Sequence, residues 1–282
     1  MTQLSLGTCA TLACLLEATA PKVGNVHRSA DFEDLSFTDF AVSAAIVGPV
    51  FDQVAELGVG ATILAAVQAT QRVVRTNTNL GLVLLIAPLA AVPRTSPIAS
   101  GIGNVLASLQ EQDAQAIYEA IRLARPGGLG EAPRMDVHGP APARLLDAMQ
   151  AAADRDLVAR QYTNEFAEVL QQVVPWLVET RLAGASLTQA IIHTQVRLLA
   201  AQPDSLIVRK CGFEAAQMAQ RFANMALDAG SYDDDNYLAV LADLDFWMRS
   251  DGHRRNPGTT ADLIAAGLFV ALRENRLPPD WS

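Results

Sequence analysis

Three observations predict an all-α fold for this 282-residue chain. Apolar residues recur at three- and four-residue spacing over long windows, cap residues precede several of those windows, and few stretches alternate as strands do. Phe166, Val169, Leu170, Val173 and Val174 form one such stripe, and Leu238, Leu241, Leu244, Phe246 and Trp247 form another. Stripes of this kind bury one face of a helix.

In chain order, helix-forming stretches are expected at Leu4–Ala18, Thr38–Glu56, Gly60–Arg75, Gln112–Ala124, Asp154–Leu182, Leu187–Ala201, Phe213–Ala229, Asn236–Met248 and Thr260–Arg273. The apolar run Leu80–Val92, interrupted by Pro88, adds a further helix and is too short to span a bilayer. Ser186 with Gln189 has the spacing of a capping box, and Thr259 with Asp262 could start the last helix in a similar way. The Asp233-Asp234-Asp235 run suits a solvated helix start, where negative charge is favoured. His193 falls inside a helix and reads as packed or surface-exposed rather than catalytic. No long flexible linker and no fixed-period repeat divides the chain, so residues 1–282 are expected to form one helical domain.

Half of the residues are hydrophobic and 18% are charged, which excludes a disordered or low-complexity chain. The 21 basic and 30 acidic residues give a formal charge of −9, which opposes nucleic-acid binding yet permits a local cationic pocket. Three cysteines, without a CxxC pair or histidines at metal spacing, argue against a disulfide framework or a zinc site. With no membrane segment, the expectation is a soluble cytoplasmic protein, its apolar helices leaving a homodimer open.

Chemistry is expected in the links at helix ends, where five segments combine Asn, Asp, Lys or Arg with Gly. They are Pro21–Arg28, Thr76–Gly81, Gly127–Glu131, Asp204–Gly212 and Asn256–Leu263, and the links 75–79 and 203–212 are expected to be irregular. Glycine lets a backbone approach a phosphate, and the polar side chains bring charge or hold a hydrated cation. Thr76-Asn77-Thr78-Asn79 precedes an apolar helix and suits either a cap or a phosphate at that helix's positive end. Walker A, strand-borne GxGxxG and GxSxG patterns are absent.

In order, these segments resemble the triphosphoribosyl-dephospho-coenzyme A synthase family. Pro21-Lys22-Val23-Gly24-Asn25-Val26-His27-Arg28 is similar to that family's Pro-Lys-Pro-Gly-Leu-Val-Asp-Arg, and Thr76-Asn77-Thr78-Asn79-Leu80-Gly81 to its Asn-Thr-His-Lys-Gly. Gly127-Gly128-Leu129-Gly130-Glu131 resembles its Gly-Ala-Arg-Gly-Glu, and Asp204–Gly212 its Asp-Thr-Asn followed by Arg and Gly. Asn256-Pro257-Gly258-Thr259-Thr260-Ala261-Asp262-Leu263 resembles its closing Ser-Pro-Gly-Gly-Ser-Ala-Asp-Leu.

The resemblance implies an all-helical transferase with ATP and dephospho-CoA as substrates, Mg²⁺ as cofactor and adenine as a product. By the same resemblance Lys22, Arg209 and Lys210 would meet phosphates, while Asn25, Asn77, Asn79, Gly81, Gly128, Gly130 and Asn256 would meet the nucleotide. Glu131, Asp204 and Asp262 are the catalytic candidates, with Asp204 and Asp262 also the candidates for the metal. The chain departs from the pattern at Asn79, Leu80 and His27, where the family has His, Lys and Asp. These departures suggest a divergent branch. Its alternatives are ATP-dependent ribosyl or phosphoryl transfer in one-carbon (methanopterin- or methanofuran-type) cofactor synthesis, or a non-catalytic helical binding subunit.

Overall fold

The computed structural model describes residues 3–127 and 134–277. Its first half comprises α1 (Leu6–Thr19), α2 (Phe37–Phe51), α3 (Val54–Leu57), α4 (Val59–Gln71), α5 (Leu80–Ala91), α6 (Ile98–Ala107) and α7 (Glu111–Ala124). The second half comprises α8 (Leu145–Ala152), α9 (Leu157–Thr163), α10 (Val174–Leu182), α11 (Leu187–Ala201), α12 (Ser205–Cys211), α13 (Phe213–Ala229), α14 (Asp235–Arg249) and α15 (Gly258–Arg273). A short extended stretch, Ser250–His253, follows α14, and the all-α expectation holds.

At the centre lie the two helices that are apolar on every side. Leu263 to Arg273 of α15 are all buried, and so are Leu82 to Ala90 of α5. A helix without a polar face must be surrounded by others, and α15 packs on α1, α5, α10 and α11 while α4 and α9 also pack on α5. Gly267 allows α15 to approach the segment before α10, since a Cβ there would meet Val173 Cγ1 at 2.4 Å. A second, smaller apolar cluster joins α11, α13 and α14, with Ala216, Ala219, Ala223 and Ala226 along the inner face of α13. No helix among the described residues is long and apolar enough to cross a membrane.

Caps explain many of the boundaries. Ser5 accepts from Thr8 N–H and starts α1, Ser36 and Asp39 form a reciprocal box at α2, and the expected Ser186–Gln189 box starts α11. Asp234 is the N-cap residue of α14, in agreement with the acidic helix start. His193 is packed as expected, its Nδ1 3.0 Å from the Tyr237 hydroxyl.

Several expectations need correction. The stretch Asp154–Leu182 is not one helix. Asp156 accepts from Val158 N–H and Ala159 N–H and starts α9 late, and the chain then breaks at Glu165 and Phe166, whose φ values are 55° and 62°. This left-handed backbone turns the Phe166 ring into the core beside Tyr162, and a π-helical turn, Val169–Val173, leads into α10. The link 203–212 is largely helical, because Asp204 caps α12 through Leu206 N–H and Ile207 N–H. Helices α6 and α8 were not expected at all. The cap proposed from Thr259 and Asp262 does not form, since Pro257 is the N-cap residue of α15.

The first turn of α15 is held by Asp204 from another helix. Thr260 N–H and Oγ–H both donate to Asp204 Oδ2, at 2.7 and 2.8 Å, while Oδ1 accepts from α12. This carboxylate is fully buried, and burial raises its pKa despite four hydrogen bonds that lower it. Asp204→Ala would orphan four buried donors and is expected to cost about 3 kcal/mol or more in urea unfolding. Asp204→Asn, which keeps one acceptor, is expected to recover only part of that loss.

Candidate functional site

A cavity of about 470 Å³ opens between the helix ends, within the size range of small-molecule sites. Its polar wall includes Glu17 from the last turn of α1, Asn25, the segment Thr76–Gly81, Arg209 and Lys210 of α12, Asn256, and Asp262 of α15. Four sequence-distant segments therefore meet in one place. The fifth contributes Gly127, whereas Gly128, Gly130 and Glu131 lie outside the described residues.

Glu17 sits at a helix end where the macrodipole disfavours an acid. Lys22 compensates, with its Nζ 2.8 Å from Glu17 Oε1 and donating to the carbonyls of Glu17 and Ala20. Lys22 is completely buried and does not line the cavity. The phosphate contact expected of Lys22 is therefore replaced by a positioning contact, and Glu17 is the group that faces the ligand space.

The loop after Lys22 is locked by buried amides. Gln195 donates to Val23 O and Asn25 Oδ1 and accepts from Val23 N–H, while Asn25 Nδ2 donates to Asn256 Oδ1. Gly24 holds φ at 71° here, and a side chain on it would meet Met248 Sδ at 2.5 Å. Asn25 and Asn256 thus reach the cavity wall as a pair.

The Thr76–Gly81 segment lines the cavity, and Asn79, the N-cap residue of α5, makes no side-chain cap hydrogen bond. Asn77 Oδ1 accepts from Leu80 N–H, and Asn79 Nδ2 donates 2.9 Å to Thr70 Oγ1. Leu80 presents a buried alkyl chain at the position where a cation stands in the resembled motif. Gly81 has no room for a side chain, since a Cβ would lie 2.0 Å from Asp262 Oδ2. The Asp262 carboxyl therefore packs directly on the amino-terminal turn of α5.

Burial, reinforced by the charges of Glu17, Asp204 and Asp156, holds the Asp262 carboxyl well above the usual carboxylate range, with Arg209 pulling the other way. Arg209 donates 2.6 Å to Asp156 Oδ2, and its buried Nε has no hydrogen-bond partner among the described residues. Lys210 makes no ion pair among the described residues, its stem lies near Gly127, and burial lowers its pKa. The cavity lining thus combines four cations, Arg125, Arg155, Arg209 and Lys210, with the acids Glu17, Asp34, Asp136, Asp156 and Asp262.

Asp204 does not line the cavity, and its two oxygens are occupied by the caps of α12 and α15. The catalytic and metal roles expected of Asp204 are corrected to a structural one. Among the described residues no three His, Cys, Asp or Glu side chains gather as a metal site. The sequence reading also missed Glu17, Asp156 and the rim pair His253–Asp34, with Nδ1 and Oδ1 at 2.9 Å. Only Glu17 carried a signal, as an acid at the wrong end of an apolar helix.

Fold and cavity define a class, that of all-helical proteins whose helix ends converge on an amphipathic cavity lined by both acids and cations. The family model for ATP:dephospho-CoA triphosphoribosyl transferase matches residues 3–279, and the chain belongs to that family. A protein of Stutzerimonas stutzeri described as a 2-(5''-triphosphoribosyl)-3'-dephosphocoenzyme-A synthase is 27% identical over 72% of this chain and 61% of its own length. A Klebsiella pneumoniae protein named as the same synthase is 30% identical over 37% of each chain. The matches thus span less than two thirds of these relatives' own lengths. A crystal structure described as a triphosphoribosyl-dephospho-CoA synthase from Archaeoglobus fulgidus superposes with a TM-score of 0.61 at 25% identity, covering 83% of this chain and 98% of that one.

The raised pKa of Asp262 makes a stability prediction. The folded state holds this proton more tightly than the unfolded chain, so stability falls as pH rises from about 4 toward the folded value. Asp262→Asn removes that loss. Thermal unfolding is expected to show the variant gaining on the native protein between pH 4 and pH 8.

Proposed function

We propose that this protein transfers the triphosphoribosyl group of ATP to the 2'-hydroxyl of 3'-dephospho-CoA. The observation that carries the reading is the convergence of the four distant segments on one cavity, in a chain matched from end to end by this family's model. In the reaction the C1'–N9 bond of ATP breaks, a C1'–O2' bond forms, and adenine leaves. The triphosphate stays on the moving ribose.

Each part of that chemistry has a suitable group. Arg209 and Lys210 supply positive charge for phosphates, and the guanidinium Nε–H is unused among the described residues. Asp262, whose pKa burial raises well above the usual carboxylate range, suits proton donation to the departing adenine. Glu17, steadied by Lys22, suits acceptance of the hydroxyl proton. The ion-paired Glu17 and the hydrogen-bonded Asn25–Asn256 pair give the reacting ribose fixed walls rather than mobile ones.

The described residues do not make a resident magnesium site. Asp204 is occupied by caps, Glu17 is paired with Lys22, and no carboxylate triad is present. We take Mg²⁺ to arrive with the triphosphate as part of the substrate, as is usual for an ion that prefers phosphates and water to an all-protein cage.

Incubation with Mg·ATP and dephospho-CoA is expected to release free adenine and to yield an acceptor heavier by one triphosphoribosyl unit. Arg209→Ala is expected to raise the KM for ATP about ten- to hundredfold, the loss of one charge-assisted phosphate contact. Release of ADP in place of adenine would overturn the reading and favour the phosphoryl-transfer alternative.

A further inference from the structure

One helix face, on α14, is left without cover. Phe246 of α14 is 77% exposed, more than any other large apolar side chain among the described residues. Leu238, 49% exposed, lies about two turns before it, and the exposed Ala242 lies midway. Residues four apart stack along one side of a helix, so the three form a stripe distinct from the buried side of Tyr237, Leu241, Leu244 and Met248. On the neighbouring helix α13, Met218 and Met225 are exposed on either side of Phe222, whose ring centroid lies 6.0 Å from that of Trp247. The apolar surface therefore continues from one helix to the other.

The α14 stripe becomes its own complement when it is reversed. Leu238 and Phe246 stand equally far before and after Ala242, and so do an acid, Asp235, and a base, Arg249. The steps between these five positions are three or four residues, which keeps them on one side of the helix. Arg249 lies at the edge of the stripe, with its Nε on Asp245 at 2.9 Å and its Nη2 on Asn25 O, and its Nη1 has no hydrogen-bond partner among the described residues. We propose that α14 pairs antiparallel with α14 of a second copy of this chain, about a two-fold axis at Ala242. Leu238 then meets the partner's Phe246, Ala242 meets the partner's Ala242, and Asp235 meets the partner's Arg249.

Charge selects the second copy as the occupant. A two-fold interface needs one patch that complements itself, and the order acid, apolar, small, apolar, base does so only in the antiparallel direction. Asp233 and Asp235 hold no ion pair among the described residues, and the 61% exposed Arg254 follows the other end of the helix. Antiparallel pairing brings the acidic start of each helix beside the basic end of the other, which also opposes their dipoles favourably. Ala242 at the axis lets the backbones approach closely. Helices α13 and α14, of 17 and 15 residues, present a face of about 25 by 20 Å. That is on the order of 500 Å² per copy, near the lower bound of specific interfaces, so the dimer is expected to depend on concentration. The paired helices also back the cavity loop, since Asp245 accepts from Gly24 N–H and Arg249 donates to Asn25 O.

Sedimentation velocity on the full-length protein is expected to show a dimer whose fraction rises with concentration through roughly the micromolar range. Phe246→Asp is expected to weaken it at least tenfold and Asp235→Arg severalfold, with circular dichroism melting to check that both variants fold. The position of the axis has its own test. Under mild oxidation Ala242→Cys is expected to give a disulfide-linked dimer, because residue 242 faces its own copy. Leu238→Cys is expected to stay unlinked, since its counterpart is displaced by about 12 Å along the helix. The native protein, treated alike, gives the background from Cys211. A native protein that stays monomeric at about 100 µM overturns the proposal and leaves this face to a different partner. A folded Phe246→Asp variant that dimerises as the native protein does overturns it too, as does linkage of Leu238→Cys in place of Ala242→Cys. None of these readouts depends on the proposed transferase reaction.

Discussion

The structure depends on a single buried carboxylate. Asp204 is enclosed by protein, and its two oxygens accept from the first turns of both α12 and α15. Helix α15 runs through the middle of the molecule, and α12 carries Arg209 and Lys210. One side chain therefore fixes the direction of the central helix relative to the cations at the cavity. Desolvating a carboxylate is costly, and the four hydrogen bonds offset that cost only because their donors are the otherwise unpaired amides of helix starts and a threonine hydroxyl.

From that anchor the charge arrangement of the cavity follows. With α15 held in place, Asp262, two residues beyond Thr260, is set against the first turn of α5, where Gly81 leaves room for it. Glu17 comes in from α1, which packs on both α5 and α15. Two acids would repel one another in so small a space, and two separate devices reduce the repulsion. Lys22 balances Glu17 with a full charge, while Asp262 is left to hold a proton. The two carboxyls are thus set apart, Glu17 ion-paired with Lys22 and Asp262 pushed by burial toward its protonated form, a difference that suits the proposed acid–base division at a glycosidic carbon.

Much of the fold was legible in the sequence because helices announce themselves through period and caps. The apolar stripes, the Ser186–Gln189 box and the acidic start of α14 each carried a local signal that the structure repeats. The break at Glu165–Phe166 was not legible, since its cause is the burial of one aromatic ring against Tyr162, a tertiary contact. Helix α12 was hidden by its shortness and by the reading of Asp204 as chemistry, although Asp is also a preferred cap. Of the candidate site, Asn77, Arg209 and Asp262 were singled out from their segments, and all three line the cavity. What each side chain faces was not, and Lys22 and Glu17 exchanged places because a lysine at 0% exposure cannot be told from a surface lysine by composition.

The departures from the family motif take on a physical meaning in this frame. Where a cation would project from the Thr76–Gly81 segment, Leu80 adds apolar surface, and the Asn79 amide turns inward to Thr70. The positive charge facing the cavity then rests more heavily on α12, whose Arg209 is already shared with Asp156. A phosphate entering the cavity would compete with Asp156 for that guanidinium and release a carboxylate in doing so. Binding of a polyanion is thereby coupled to the electrostatics of Asp262, since Asp156 and Arg209 act on its proton with opposite sign. A phosphate that neutralised Arg209 would favour the protonated form of Asp262, so in the proposed reaction the incoming triphosphate would hold that carboxyl in the form that has a proton to give.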